Sequence, residues 1–341
     1  MRTFIFIPPL RHLSGGLAVL YQVAEQLHDL GFPVWITPRA EGAAGLENCR
    51  APVMPWDELE ARLTPEDIWL APEGWSNALA PGLRAKARCL VYVQNWAFLF
   101  SSLPEGVTWR DLDVSFLAVS DPVAWFVKNA LGQDAPVLRP ALGLNLFKSE
   151  PVARPPVAKG LRIAWMPRKN KAVALQVQQI MAAREALPVP VTWVEIQNKA
   201  PVEVAQMLRS CHVFMATGFP EGLALPPLEA MACGCLVAGF AGLGAWDYLR
   251  QALPGGYLPL CPLPELPWQK DGQADISGNA FIAADNDALG LALAVEAAAN
   301  VALSDSRAYG VLQQRGQAAA GFYSVENQRR ALADLWRAWS A

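Results

Sequence analysis

The chain has 341 residues and a formal net charge of −3, with 17% charged and 53% hydrophobic residues. At roughly 150 residues per domain, this length predicts two domains rather than one small binding module. The near-neutral charge excludes the basic surface that nucleic-acid binding needs, and the apolar composition excludes a disordered tail protein. We therefore expect two globular domains with large buried cores and no nucleic-acid partner.

Neither a membrane span nor a secretion signal is predicted. No apolar run approaches the roughly 20 residues that cross a bilayer. The apolar segment at the start of the chain stops at Pro8 and Pro9, which is too short for a signal peptide. We therefore expect a cytoplasmic protein. Its six cysteines are scattered without zinc-ligand spacing, so they are expected to be reduced, packed thiols.

The first half of the chain predicts alternating strands and helices. Residues 1–8 predict a buried strand, a loop with Gly15 and Gly16 follows, and apolar residues then recur at helical spacing over residues 17–30. Further strands are predicted at residues 32–37, 68–71, 90–93 and 114–119, and a helix at residues 122–131. This order is typical of a doubly wound sheet.

The second half repeats this alternation after a proline-rich stretch, residues 151–160, that predicts a linker. Strands are predicted at residues 161–165, 191–196, 212–216 and 236–240, and helices at residues 172–187, 201–209 and 226–233. Residues 254–279 predict a long active-site flap or insertion. Two helices are expected after it, and the last begins after Ser324 as its N-cap.

We therefore predict an α/β protein with two Rossmann-like doubly wound domains, over residues 1–150 and 161–320. A C-terminal helix over residues 321–341 is expected to pack back toward the first domain. Ligands of open α/β sheets bind beyond the carboxyl ends of the strands. The two domains are accordingly expected to face one cleft that holds the functional site.

The phrase Glu-Gly-Leu-Ala-Leu-Pro-Pro-Leu-Glu-Ala-Met-Ala-Cys-Gly carries most of the chemical information. Its first glutamate, Glu221, lies in a predicted loop after a strand, and its second, Glu229, lies in the first turns of a helix. The amides of Gly222, Leu223 and Ala224 are expected near the positive end of the helix dipole, where an anion such as diphosphate binds. The two carboxylates would repel that anion, so we expect them to accept hydrogen bonds from sugar and ribose hydroxyls.

This phrase resembles the signature of the retaining nucleotide-sugar glycosyltransferases of the GT-B fold, in the large group related to glycosyltransferase family 4. The resemblance implies that Glu221 faces the donor sugar and that Glu229 binds the ribose hydroxyls. It extends to the turn after the first strand of the second domain. There it implies that Arg168, with either Lys169 or Lys171, neutralises the diphosphate.

The resemblance also covers the first domain. It implies that Gly15 and Gly16 belong to a Gly-rich loop that lets backbone amides approach donor phosphates or the acceptor. Many relatives carry a histidine in a later loop, where this chain has Gln94 and Asn95. These two side chains are candidate contacts to sugar or acceptor that supply no proton. His12, within the Gly-rich loop, is a third candidate contact.

The resemblance implies a retaining glycosyltransferase that moves a sugar from a nucleoside diphosphate sugar to a hydroxyl of a glycan, lipid-linked or small-molecule acceptor. It implies metal-independent chemistry without a cofactor and a role in polysaccharide biosynthesis. It leaves open whether the protein contacts the inner face of the membrane peripherally. Two alternatives remain. One is a nucleotide-sugar epimerase or hydrolase of the same fold, and the other is a catalytically silent nucleotide-sugar-binding subunit.

Three short patterns compete with this interpretation. The Asp-x-Asp triplets at residues 111–113 and 285–287 match a motif of metal-dependent sugar transferases, but such triplets arise easily by chance. The Gly-Leu-Gly at residues 242–244 is half of a dinucleotide fingerprint and lacks the remaining glycine spacing. We therefore predict no metal site and no dinucleotide site.

Overall fold

A computed structural model of the protein describes residues 1–149, 156–252 and 278–340. Residues 151–155 of the predicted linker and residues 254–277 of the predicted flap or insertion lie outside these ranges, and Val157–Lys159 of the linker form a short 3-10 helix. The chain forms two compact units. The first comprises Met1–Ala141 together with Val325–Ala341, and the second comprises Leu142–Ser324.

The first unit contains a parallel five-stranded sheet with the strand order β2-β1-β3-β4-β5. The strands are β1 (Thr3–Ile7), β2 (Val34–Pro38), β3 (Ile68–Pro72), β4 (Arg88–Val93) and β5 (Val114–Ala118). The helices between them are α1 (Gly15–Asp29), α2 (Trp56–Arg62), α3 (Ala80–Arg84) and α4 (Asp121–Leu131). All five residues of β1 are buried, as expected for a central parallel strand that is covered on both faces.

The second unit repeats the same topology. Its strands are β6 (Leu161–Trp165), β7 (Val191–Glu195), β8 (Val213–Ala216), β9 (Leu236–Phe240) and β10 (Ala280–Ala283), in the order β10-β9-β8-β6-β7. Its helices are α5 (Lys171–Arg184), α6 (Pro201–Arg209), α7 (Leu225–Ala232), α8 (Ala288–Ser304) and α9 (Ser306–Phe322). In both sheets the chain reverses its winding direction beside the first strand, which is the position where doubly wound folds bind ligands.

The last helix, α10 (Val325–Ser340), belongs to the first unit. Trp336 is fully buried there, and its Nε1 donates a hydrogen bond to Thr3 Oγ1 at 2.8 Å. Gln328 Nε2 donates to the carbonyl oxygen of Arg139 at 2.9 Å. Helix α10 therefore packs on β1.

The structure corrects the prediction in two places. The prediction of two helices after residue 279 is wrong, because α8, α9 and α10 follow, with Asp305 alone between α8 and α9. Asp305 Oδ1 accepts a hydrogen bond from the amide of Ala308 at 2.8 Å, so this aspartate caps a new helix. The prediction that Gly15 and Gly16 lie in a loop is also wrong. Ser14 caps α1, and both glycines lie in the first turn of that helix.

Among the described residues, Cys49, Cys89, Cys211, Cys233 and Cys235 are thiols rather than disulfides, and all but Cys49 are buried. Cys261 lies outside the described residues. Within the same described part of the chain, every helix is too short or too polar to cross a bilayer.

Candidate functional site

The strongest candidate site lies in the second unit, where the loops after β6 and β8 leave adjacent strands at the carboxyl edge of the sheet. Because the chain continues to β7 on one side and to β9 on the other, the two loops diverge and leave a crevice. A cavity of about 260 Å³ occupies this position. Its lining includes Arg168 and Lys169 from the first loop and Thr217, Glu221 and Ala224 from the second.

Hydrogen bonds tie the two loops together. Asn170 Nδ2 donates to the carbonyl oxygens of Thr217 at 2.7 Å and Phe219 at 3.0 Å. In return, Thr217 Oγ1 donates to the carbonyl oxygen of Lys169 at 3.1 Å. Asn170 has a φ of 56°, a left-handed conformation that asparagine adopts more readily than most residues. The loops therefore present their side chains from a fixed common base.

Glu221 forms an ion pair with Lys169, whose Nζ lies 2.8 Å from Glu221 Oε1. The two side chains are 16% and 33% exposed, respectively, so the pair is only partly solvated. A Cβ atom at Gly218 would lie 2.8 Å from the same carboxylate oxygen. A side chain at residue 218 would therefore require the Glu221 carboxylate to shift from this position.

Glu229 lies in the first turns of α7 and is mostly buried. No group within the described residues donates a hydrogen bond to its carboxylate, and its side chain is not part of the cavity lining. Burial raises the pKa of Glu229 to about 7, because desolvation disfavours the charged form. Such a carboxylate is suited to accept hydrogen bonds from hydroxyl groups of a ligand.

The structure separates the predicted cations. Arg168 is exposed, lines the cavity and pairs with no carboxylate among the residues that the structure describes. Lys169 lines the cavity as well and contacts Glu221. Lys171 is the exposed first residue of α5 and lies outside the cavity lining. Two cations, Arg168 and Lys169, therefore belong to the cavity.

The predicted anion-binding amides precede α7, which has proline at its first positions. Gly222, Leu223 and Ala224 are all buried, and Ala224 also lines the cavity. The amides of Leu223 and Ala224 donate to no acceptor within the described ranges. Unpaired amides at the N-terminus of a helix are favourable partners for an anion.

Two of the predicted residues of the first unit, Gly16 and Gln94, meet at the carboxyl end of its sheet. A Cβ atom at Gly16 would lie 2.8 Å from Gln94 Oε1, whereas one at Gly15 would meet nothing within 4 Å. Gln94 Nε2 is buried without a hydrogen-bond partner. Asn95 Oδ1 accepts a hydrogen bond from the amide of Ala97 at 3.1 Å. Gly16 and Gln94 are thus brought together, and Asn95 stabilises the turn that follows.

A buried glutamate that the sequence analysis did not identify supports this region. Glu73 directly follows β3, and its two carboxylate oxygens accept hydrogen bonds from the amides of Gln94 at 2.9 Å and Asn95 at 2.8 Å. Burial raises the pKa of Glu73 to about 7, although these amide bonds act in the opposite direction. A glutamate beside a proline at the end of a buried strand is the sequence signal that could have identified it.

His12 is exposed and lines an open concavity that it forms with residues 42–48 of the first unit. Gln94 and Asn95 are not part of the lining of that concavity.

The Asp-x-Asp triplets have local structural partners. Asp111 Oδ2 accepts hydrogen bonds from the amide and hydroxyl of Thr108 at 2.7 and 2.8 Å. Asp285 Oδ1 accepts from the amide of Gly242 at 2.9 Å, and Asp287 caps α8. In the part of the chain that the structure describes, no three His, Cys, Asp or Glu residues gather as metal ligands.

The fold is GT-B, with two Rossmann-like domains, and the predicted fold class is confirmed. HepE from Anabaena, in complex with UDP and glucose, has a TM-score of 0.67 at 15% identity, over 99% of this chain and 100% of HepE. A glycosyltransferase from Rickettsia africae ESF-5 has a TM-score of 0.67 at 13% identity, over 99% of this chain and 98% of that protein. Sucrose-phosphate synthase from Thermosynechococcus elongatus has a TM-score of 0.65 at 13% identity, over 99% of each chain. No protein-family model and no curated protein matches the sequence.

Proposed function

We propose that the protein is a retaining glycosyltransferase that uses a nucleoside diphosphate sugar as donor. The observation that carries this proposal is the cavity at the β6/β8 crevice, which combines Arg168, the Lys169–Glu221 ion pair and unpaired amides before α7. HepE, which has the same fold, was crystallised with UDP and glucose and also with UDP-glucose. Those ligands support a nucleotide sugar as the donor class.

The proposed donor would bind through complementary groups. Arg168 and Lys169 would neutralise the diphosphate, together with the amides of Leu223 and Ala224. Glu229, which has no donor among the described residues, would accept hydrogen bonds from the two ribose hydroxyls. The Lys169–Glu221 ion pair would keep the carboxylate beside the sugar without leaving it as a full negative charge next to the diphosphate.

The proposed reaction breaks the bond between the anomeric carbon and the diphosphate oxygen. Negative charge then grows on the leaving phosphate, where Arg168 and Lys169 would stabilise it. Positive charge grows on the sugar, where Glu221 would stabilise it. The acceptor oxygen would bond to the anomeric carbon on the face that the phosphate leaves, and its proton would pass to the leaving phosphate oxygen. Positioning and charge stabilisation would therefore carry the reaction without a protein base.

We propose that the acceptor presents a hydroxyl group and belongs to a glycan, lipid-linked or small-molecule class. Gln94 of the first unit is the proposed contact, because its buried Nε2 has no hydrogen-bond partner. A ligand hydroxyl that accepts from this amide would remove the cost of leaving a buried donor unpaired.

The test begins with the donor. A thermal-shift panel of nucleoside diphosphates and their sugars identifies the ligand that stabilises the folded protein most. For Glu221→Gln, we expect turnover of that donor to fall roughly 10²- to 10³-fold, because a charge that acts on the transition state is lost. We expect the dissociation constant of the nucleoside diphosphate to be retained. Glu185→Gln, which alters an exposed glutamate of the same unit, is the matched control and should retain turnover.

The outcomes distinguish the proposed function from its alternatives. Unchanged turnover of the Glu221→Gln variant, or no stabilisation by any nucleotide, contradicts the proposal. Full-rate donor consumption without an acceptor would instead indicate a hydrolase or epimerase. Tight donor binding without any turnover would indicate a catalytically silent binding subunit.

A further inference from the structure

The backbone of Glu221 is held by a short stretch after β9, residues 241–245, which we call the support segment. The amide of Glu221 donates to the carbonyl oxygen of Gly242 at 2.9 Å, and the amide of Gly244 donates to the carbonyl oxygen of Glu221 at 2.9 Å. Glu221 thereby forms an isolated parallel bridge with Leu243. The support segment therefore fixes Glu221 on both sides of its peptide backbone.

The support segment fits Glu221 closely because it contains two glycines. A Cβ atom at Gly242 would lie 3.0 Å from both the Cβ and the amide nitrogen of Glu221, and one at Gly244 would lie 2.1 Å from the carbonyl group of Gly222. Leu243, between them, has φ 68° and ψ −59°. This conformation is strained for a residue with a side chain and persists only where surrounding contacts impose it.

Asp285 supplies such a contact from the turn after β10. Its Oδ1 accepts a hydrogen bond from the amide of Gly242 at 2.9 Å. Asp287, two residues later, has a different role, because its Oδ1 accepts from the amide of Gly290 at 2.8 Å and caps α8. The Asp-x-Asp pattern thus serves two separate local structures.

We infer that Asp285 is a positioning residue for Glu221. Its carboxylate holds the Gly242 amide of the support segment. The support segment in turn fixes the backbone of Glu221. That backbone determines where the Glu221 carboxylate meets Lys169 and the donor sugar. The inference rests on the proposed function for the role of Glu221. It joins the Gly-Leu-Gly and Asp-x-Asp patterns, which the donor site alone leaves unexplained, in one contact chain.

The experiment compares Asp285→Ala with Asp287→Ala. Both aspartates lie in the turn after β10, and each accepts a hydrogen bond from a backbone amide. We expect the turnover of UDP-glucose by Asp285→Ala to fall roughly 10- to 100-fold, as a small displacement of a reacting group does. The dissociation constant of UDP should stay within about twofold, because Arg168 and Glu229 are not displaced. Asp287→Ala should lose a similar amount of thermal stability but retain the turnover of the wild type. Asp285→Asn, which keeps an acceptor oxygen, should restore most of the turnover.

A second measurement does not depend on activity. Hydrogen–deuterium exchange of the Glu221 and Gly244 amides should be faster in Asp285→Ala than in Asp287→Ala and the wild type. Unchanged exchange of these amides in Asp285→Ala, or an equal loss of turnover in Asp287→Ala, overturns the inference. If the wild-type protein neither binds nor turns over nucleotide sugars, the proposed function fails. Amide exchange then decides by itself whether Asp285 positions Glu221.

Discussion

Glu229 is partly buried, and no described residue donates a hydrogen bond to its carboxylate. Its ordinary pKa near 4.5 is raised to about 7 by desolvation, so the protonated form is substantial at neutral pH. An ionised carboxylate accepts two hydroxyl hydrogen bonds better than a protonated one. Binding of a ribose would therefore favour loss of the proton, and the affinity for the donor should depend on pH.

If the proposed function holds, we expect the affinity for the nucleotide sugar that the thermal-shift panel identifies to increase as the pH rises through about 7 and to level off above it. On the acidic side the carboxyl must lose a proton for binding, so affinity should change by up to about tenfold per pH unit. Calorimetric titration near pH 6 and near pH 8 measures this change. The nucleotide sugar is a better probe than the free nucleoside diphosphate, because its phosphates have no proton to lose in this range. Glu229→Gln should bind more weakly without this pH dependence, and a retained dependence would exclude Glu229 as its source.

The residues of the candidate site differ in how far the sequence could predict them. Glu221, Glu229 and Arg168 belong to phrases that resemble a family signature, and the roles proposed for them rest on that resemblance. Glu73 belongs to no phrase. Its partners are amides of residues that lie 21 and 22 positions later in the chain, and only the pairing of β3 with β4 brings them together.

At the scale of elements, Glu73 joins the ends of β3 and β4. Its folded pKa of about 7 exceeds the ordinary value of 4.5. Between these values the unfolded chain has released a proton that the folded chain retains. The free energy of unfolding therefore falls as the pH rises across this range.

We expect Glu73→Gln to remove this contribution. Going from about pH 5 to about pH 8, the wild type should lose up to about 3 kcal/mol more stability than the variant. Urea unfolding at the two pH values, followed by circular dichroism, measures the difference. Glu105→Gln, which alters an exposed glutamate of the same unit, should behave as the wild type. An equal pH response in wild type and Glu73→Gln would show that Glu73 remains ionised throughout.

Elements with strong internal patterns could be predicted closely. The bounds of β6 (Leu161–Trp165), α6 (Pro201–Arg209) and β9 (Leu236–Phe240) agree with the sequence prediction, because a glycine or proline lies within two residues of both ends of each strand and Pro201 begins the helix. β10 (Ala280–Ala283) was not predicted. It has only four residues, two of them alanine, and its strand conformation comes from pairing with β9 rather than from local propensity.

At the scale of the whole molecule, the first unit is discontinuous in sequence. The chain leaves it at Ala141 and returns at Val325. Trp336 of α10 is fully buried, and the helix is further held by Gln328. The folding of the first unit therefore depends on a segment far along the chain, whereas the second unit is continuous from Leu142 to Ser324.

We expect Trp336→Ala to destabilise the first unit by roughly 3–5 kcal/mol, because it opens a cavity and leaves the hydroxyl of Thr3 without the indole donor. Native-state hydrogen exchange should show faster exchange in β1 and unchanged exchange in β9, since these strands belong to different units. Trp125→Ala is the matched control, because this tryptophan of α4 is 43% exposed and its loss should cost about 0.5 kcal/mol. Equal acceleration in β1 and β9 would mean that the two units unfold as one cooperative structure, and that C-terminal truncations would disrupt the donor site as well.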